Sequence, residues 1–178
     1  YSTLFGAYYF MSCFYTALAA LYFLSLLSLK ALGLRETIHP HHLHDLGKLV
    51  FAFCIFTGYL FYVQFLVIWY ANLPEETRYV ILRVKLTPWE PVAWTVLAMT
   101  FAIPFVLLLN RRIKMKPLPM MILSGIILAG MWLERFTIVV PTLMHPGLPY
   151  ETGVYNASWV EWAILMGCFA LVGMIYMV

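Results

Sequence analysis

From Leu49 to Ala71 the chain carries no charged side chain. An apolar run of that length spans a bilayer as a helix, because about 20 residues rising 1.5 Å each cover about 30 Å of hydrocarbon. Polar groups stand at both mouths of the run. The cluster His39-Pro-His41-His42-Leu-His44-Asp45-Leu-Gly-Lys48 precedes it, Asn72-Leu-Pro74-Glu75-Glu76 follows it, and Tyr59, Tyr62 and Gln64 lie within it. Ionisable groups bracketing one membrane helix point to proton or quinone chemistry rather than to anchoring alone.

The rest of the chain has the same character. It is 63% hydrophobic and 11% charged, where soluble domains carry about 25% charged residues. Spans are expected at about 3–29, 46–71, 91–109, 118–141 and 159–178. Five such helices with their loops leave no room for a soluble domain. The expected fold is an all-α membrane protein of five transmembrane helices. With no Met at position 1 and no polar flank after the last run, the chain is expected to be a fragment of a longer one. The first run is not expected to be a signal peptide, since it lacks a basic leader and is too long.

Loop charge predicts orientation. Lys30, Arg35, Lys48, Arg111, Arg112, Lys114 and Lys116 fall on one face. On the other, Arg78, Arg83, Lys85 and Arg135 are diluted by Glu75, Glu76, Glu90, Glu134, Glu151 and Glu161. The first face is expected to be cytoplasmic, which puts the histidine cluster and the Arg111–Lys116 loop inside and Asn72–Glu76 outside.

Two constellations carry chemistry. With Pro40 in the first helical turn, His41, His44, Asp45 and Lys48 share one helix face, and Tyr59 and Tyr62 continue that stripe into the membrane. A histidine titrating near neutrality can take up and pass protons, so the stripe reads as a proton entry path. The competing reading is a solvated helix start, with Asp45 complementing the dipole and Lys48 reaching to headgroups. The second constellation is Trp132-Leu-Glu134-Arg135-Phe136, deep in the fourth span. An ionisable pair there faces a cavity or another charge, with Glu134 as proton acceptor or quinol ligand; the competing reading is an interfacial pair where the helix emerges.

Other chemistries lack support. A transmembrane cytochrome b needs histidines inside the bilayer, whereas His39, His41, His42, His44 and His145 fall in loops or at helix mouths. Cys13, Cys54 and Cys168 lie on three different runs without metal-ligand spacing and read as small core residues; no metal site is expected. No phosphate-cradling glycine loop or nucleophile elbow is present. Pro104 within the third span leaves the Thr100 carbonyl without its helical donor and is expected to kink that helix.

The block His44-Asp-Leu-Gly-Lys-Leu-Val-Phe-Ala-Phe…Gly58-Tyr59…Gln64-Phe-Leu-Val-Ile-Trp69-Tyr70-Ala-Asn72-Leu-Pro74-Glu75-Glu76-Thr77 resembles the NrfD/PsrC-like family of quinone-interacting membrane subunits. Within that family it looks most like the ActF subunits of bacterial alternative complex III. Phe5-Gly6-Ala7-Tyr8-Tyr9-Phe10 and Ile103-Pro104-Phe105-Val106-Leu107-Leu108 with Arg111-Arg112 extend the likeness. Trp132-Leu-Glu134-Arg135-Phe136…Ile138-Val139-Val140 reads more like the sister subunit ActC.

The resemblance implies the C-terminal half of a ten-helix subunit of the bacterial inner (cytoplasmic) membrane, not catalytic alone and holding no redox cofactor itself. It implies a place in a quinol:electron-acceptor oxidoreductase of a respiratory or photosynthetic chain. Quinol or menaquinol would be the substrate, with iron–sulfur clusters and haem c on partner subunits. Expected partners are a homologous NrfD-like membrane subunit, an iron–sulfur subunit, multihaem cytochrome c subunits and lipids, with no nucleic acid. At matching positions it implies a proton-conducting path through His44, Asp45, Lys48, Tyr59 and Gln64, joined by Glu134 and Arg135, beside the quinol-oxidising subunit; Tyr62 joins these candidates from the helix stripe. Alternatives are that the chain binds quinone itself, or is a purely structural membrane subunit.

Overall fold

The computed structural model describes residues 3–31, 40–85, 89–144 and 159–177. Arg35, His39, His145 and Glu151 lie outside the described residues. The elements are α1 (Thr3–Ala31), α2 (Pro40–Ala71), α3 (Pro74–Val84), α4 (Trp89–Leu97), a π-turn (Ala98–Ala102), α5 (Ile103–Leu109), α6 (Arg111–Met115), α7 (Pro117–Met144) and α8 (Trp159–Met177). Among the described residues there is no strand. Among the described residues, four helices are long and apolar enough to cross a membrane: Leu4–Ser28, His41–Ala71, Trp89–Leu109 and Pro117–Pro141. The chain is an all-α membrane protein. The fifth expected run is helical as α8, whose described side chains are exposed apart from half-buried Leu165.

The core follows a three-four spacing. Ser12, Tyr15, Ala19, Tyr22 and Leu26 of α1 are buried, as are Met120, Leu123, Ile127, Gly130, Glu134, Thr137 and Pro141 of α7. That alternation keeps one seam facing a neighbour, the geometry of left-handed helix packing. Within a membrane such seams rely on close contact rather than on water exclusion, so small residues matter. At Gly58 a Cβ would strike the ring of Phe101, and at Gly130 it would come within 2.8 Å of Met99 Cβ and 3.1 Å of Thr100 Cγ2. These two glycines let the third span lie against both α2 and α7.

Chain breaks have local causes. Asn72 adopts φ 47°, the left-handed conformation that asparagine tolerates at a helix end, and its N–H donates to the Ile68 carbonyl at 3.1 Å. Pro74 then opens α3 in the first turn, where its missing N–H costs nothing. The stretch between the second and third spans, read from sequence as a loop, therefore contains a helix. In the third span the expected distortion at Pro104 takes the form of the π-turn just before it, closed by Ile103 N–H on the Ala98 carbonyl. Wider turns of this kind absorb a residue that cannot continue the normal ladder.

The His41–Lys48 end of α2 packs beside α6 and the start of α7. Lys114 Nζ stands 4.7 Å over the Phe51 ring, and a Cβ at Gly47 would meet the Met120 side chain at 3.4 Å. The histidine cluster and the Arg111–Met115 segment thus share one end of the bundle, and α3 caps the other.

Candidate functional site

A cavity of about 870 Å³ lies toward the α3 end, walled by α2 from Cys54 to Ile68, by α3, by the start of the third span and by α7 from Met131 to Ile138. Its lining is mostly aliphatic and aromatic, as in pockets for small apolar ligands. Polar groups enter at a few points. Tyr59, Tyr62, Gln64 and Glu134, four of the residues singled out from sequence, line it.

Glu134 belongs to the buried seam of α7 and is 6% exposed. Tyr8, near the start of α1, donates its phenol O–H to Glu134 Oε1. The other oxygen, Oε2, has no hydrogen-bond partner; Arg135 Nη1 stands 3.8 Å away, an ion-pair distance too long for a hydrogen bond. Arg135 is one residue on and so turns about 100° around the helix. It leaves the cavity and faces α1, donating Nη2–H to Ser12 Oγ at 2.5 Å, with Cζ 4.1 Å from the Tyr9 ring centroid.

Thr57 lines the cavity from α2 and was not singled out from sequence. Its neighbours in kind explain why. Thr16, Ser25, Thr95, Thr100 and Thr137 each return their hydroxyl to the carbonyl four residues back, at 2.7 to 2.8 Å, the usual fate of a hydroxyl in a membrane helix. Thr57 does not: its Oγ1 is buried and has no partner, with the residue 8% exposed.

Arg83 was read as a loop charge, yet it is 6% exposed on α3 and lines the cavity. Its Nε–H donates to the Thr137 carbonyl at 2.9 Å, Nη2–H to the Ile138 carbonyl at 2.8 Å and Nη1–H to the Tyr79 carbonyl at 2.8 Å. The guanidinium carbon lies 3.6 Å from the Tyr79 ring centroid. Burial pulls the guanidinium down from its ordinary value, although arginine stays protonated throughout the physiological range. Burial likewise pushes the Tyr79 phenol above its usual range.

The remaining candidates lie elsewhere. His41 Nδ1 and Lys48 Nζ meet the Asp45 carboxylate at 3.0 and 2.9 Å, on exposed side chains. Asp45 stands about 18 Å along α2 from Thr57, counting 1.5 Å per residue. His44 shares that end of α2, so His44, Asp45 and Lys48 do not join the cavity group. Cys54 is buried, its Sγ 3.9 Å from the Thr100 and Phe101 carbonyls. Cys13 and Cys168 are exposed rather than core residues, and Cys13 Sγ accepts from Arg135 Nη2–H at 3.4 Å. Among the described residues, no group of three or more His, Cys, Asp and Glu could hold a metal ion.

Comparison of the chain with models of known protein families gives no match, and comparison with curated proteins gives none either.

Proposed function

We propose that this chain is a membrane subunit of a quinol:electron-acceptor oxidoreductase, of the NrfD/PsrC-like kind, whose cavity receives the ring of a lipid-borne quinol. One observation carries the reading. Two buried polar atoms without a hydrogen-bond partner, Glu134 Oε2 and Thr57 Oγ1, sit on different helices that wall the same largely apolar cavity. Leaving buried polar atoms unpaired is costly, of order 1–3 kcal/mol each, and a ligand with an apolar ring and hydroxyl groups removes that cost. The likeness of the His44–Thr77 block to quinone-interacting subunits supports a quinol as the substrate of the complex; its placement in this cavity rests on the two buried atoms, since the resemblance implies quinol pockets mostly in N-terminal helices.

Oxidation of a quinol to a quinone releases two protons and two electrons. Glu134, held by the Tyr8 phenol, takes the first proton, releases it to water at the outer face, and is then free to take the second. An iron–sulfur partner subunit, with multihaem cytochrome c beyond it, would accept the two electrons. Thr57 orients the ring through a hydroxyl contact. In this reading the basic His41–Lys48 and Arg111–Lys116 end faces the cytoplasm of a bacterial cell, and the cavity opens nearer the outer face of the inner membrane.

The test is quinol turnover by the intact complex. Glu134→Gln removes a positioned proton acceptor and is expected to lower kcat by about 100-fold. Thr57→Val is expected to raise KM by about two- to tenfold, the worth of one hydrogen bond. Wild-type kcat and KM in both variants would contradict the proposal.

A further inference from the structure

In α7, Pro141 has no N–H, so the carbonyl of Thr137 four residues earlier has no helical donor. Thr137 is buried, so its unmet carbonyl cannot turn to water and a neighbouring element must satisfy it. Arg83 does so. Its Nε–H reaches the Thr137 carbonyl at 2.9 Å and its Nη2–H the next carbonyl, Ile138, at 2.8 Å. The third arm returns to α3 itself at the Tyr79 carbonyl, and the guanidinium plane rests on the Tyr79 ring. Pro141 is itself fully buried, so the gap it leaves is enclosed. The planar fork of arginine suits two adjacent acceptors, which a lysine ammonium cannot span in the same way.

We infer that Arg83 is a positioning residue: through the carbonyl freed by Pro141 it latches α3 onto α7 and keeps α3 as the roof of the cavity beside Glu134. Three features converge on this. The latch joins two elements distant in sequence, and α3 supplies Tyr79, Val80 and Arg83 to the cavity wall. The carbonyls it grips lie one helical turn beyond Glu134, so the roof is fixed to the same stretch of α7 that carries the carboxyl. Finally, α3 is short and has no side-chain cap at its N-terminus. A helix of this length is marginal by itself and depends on such a tie. The effect on quinol rests on the reading of the cavity given above; the latch does not.

The experiment uses the intact protein in its complex and compares Arg83→Met, Pro141→Ala and the double variant. Amide exchange over Tyr79–Lys85 reads the roof, thermal unfolding reads overall stability, and the KM for quinol reads the site. In Arg83→Met the α3 amides are expected to exchange at least about tenfold faster, with lowered Tm and a KM raised several-fold. Adding Pro141→Ala gives Thr137 its helical donor back, so Tm recovers while fast exchange and the raised KM remain. If the double variant regains slow exchange together with its Tm, Arg83 only satisfies a carbonyl and the latch is wrong. Unchanged exchange in Arg83→Met overturns it equally. Faster exchange with a wild-type KM upholds the latch and removes the quinol reading instead. Should Arg83→Met fail to assemble, Arg83→Lys keeps the charge without the fork, and the same faster exchange is expected from it.

Discussion

Arg83 donates to the carbonyl of Thr137 across 2.9 Å, and that carbonyl is the one Pro141 cannot serve. The same relation recurs in the third span. Pro104 leaves the Thr100 carbonyl without a helical donor, and the Tyr15 hydroxyl of α1 donates to it at 3.3 Å. Two prolines thus create two acceptors, and each is met by a side chain from another helix. In lipid this makes proline a device for joining helices, because the freed carbonyl must find its donor within the protein.

Tyr15→Phe removes that donor and leaves the fully buried ring in place. Unfolding in detergent is expected to show a loss of about 1 kcal/mol, the low end for an orphaned buried acceptor given the length of the bond. Adding Pro104→Ala restores a helical N–H to Thr100 and is expected to recover part of the loss. A Tyr15→Phe protein as stable as wild type would show that the contact contributes nothing.

Gly58→Ala and Gly6→Ala form a matched pair. A Cβ at Gly58 runs into the Phe101 ring, whereas at Gly6 nothing stands within 4 Å. The first is expected to cost about 1–3 kcal/mol through overpacking and to narrow the cavity that both Gly58 and Phe101 line. The second is expected to be neutral or slightly stabilising, since alanine favours a helix over glycine. Equal stabilities would mean that the third span does not press on α2 at this point.

The polar stripe of α2 separates into two groups, and activity should separate with it. Asp45→Asn breaks exposed pairs with His41 and Lys48 at the end far from the cavity, and quinol turnover is expected to stay within about twofold of wild type, since exposed pairs contribute little. A loss comparable to that of Glu134→Gln would instead support a proton path running the length of the helix.

Much of the fold was legible because bilayer length and charge exclusion act locally. The run Leu49–Ala71 marks α2, and Asn72 and Pro74 mark its end. The helix α3 was hidden by its own composition, as Glu75, Glu76, Arg78 and Arg83 read like loop charge. Glu134 stood out as an ionisable group inside an apolar run, but its partner Tyr8 lies at the far end of the chain, and no local pattern pairs them. Thr57 gave no signal, because a threonine in a membrane helix ordinarily bonds its own backbone, and only the packed structure shows that this one does not. The freed carbonyl of Thr100 could be read from Pro104; the identity of its donor could not.

Where quinone sits decides the central claim. A photoreactive quinone analogue, bound to the intact complex in its membrane and cross-linked by light, can be mapped by mass spectrometry of the labelled peptides. Labelling on 54–65 of α2 and 131–138 of α7, suppressed by excess native quinol and by Thr57→Val, is the predicted result. Labelling confined to partner subunits, with these two segments unmarked, would contradict it.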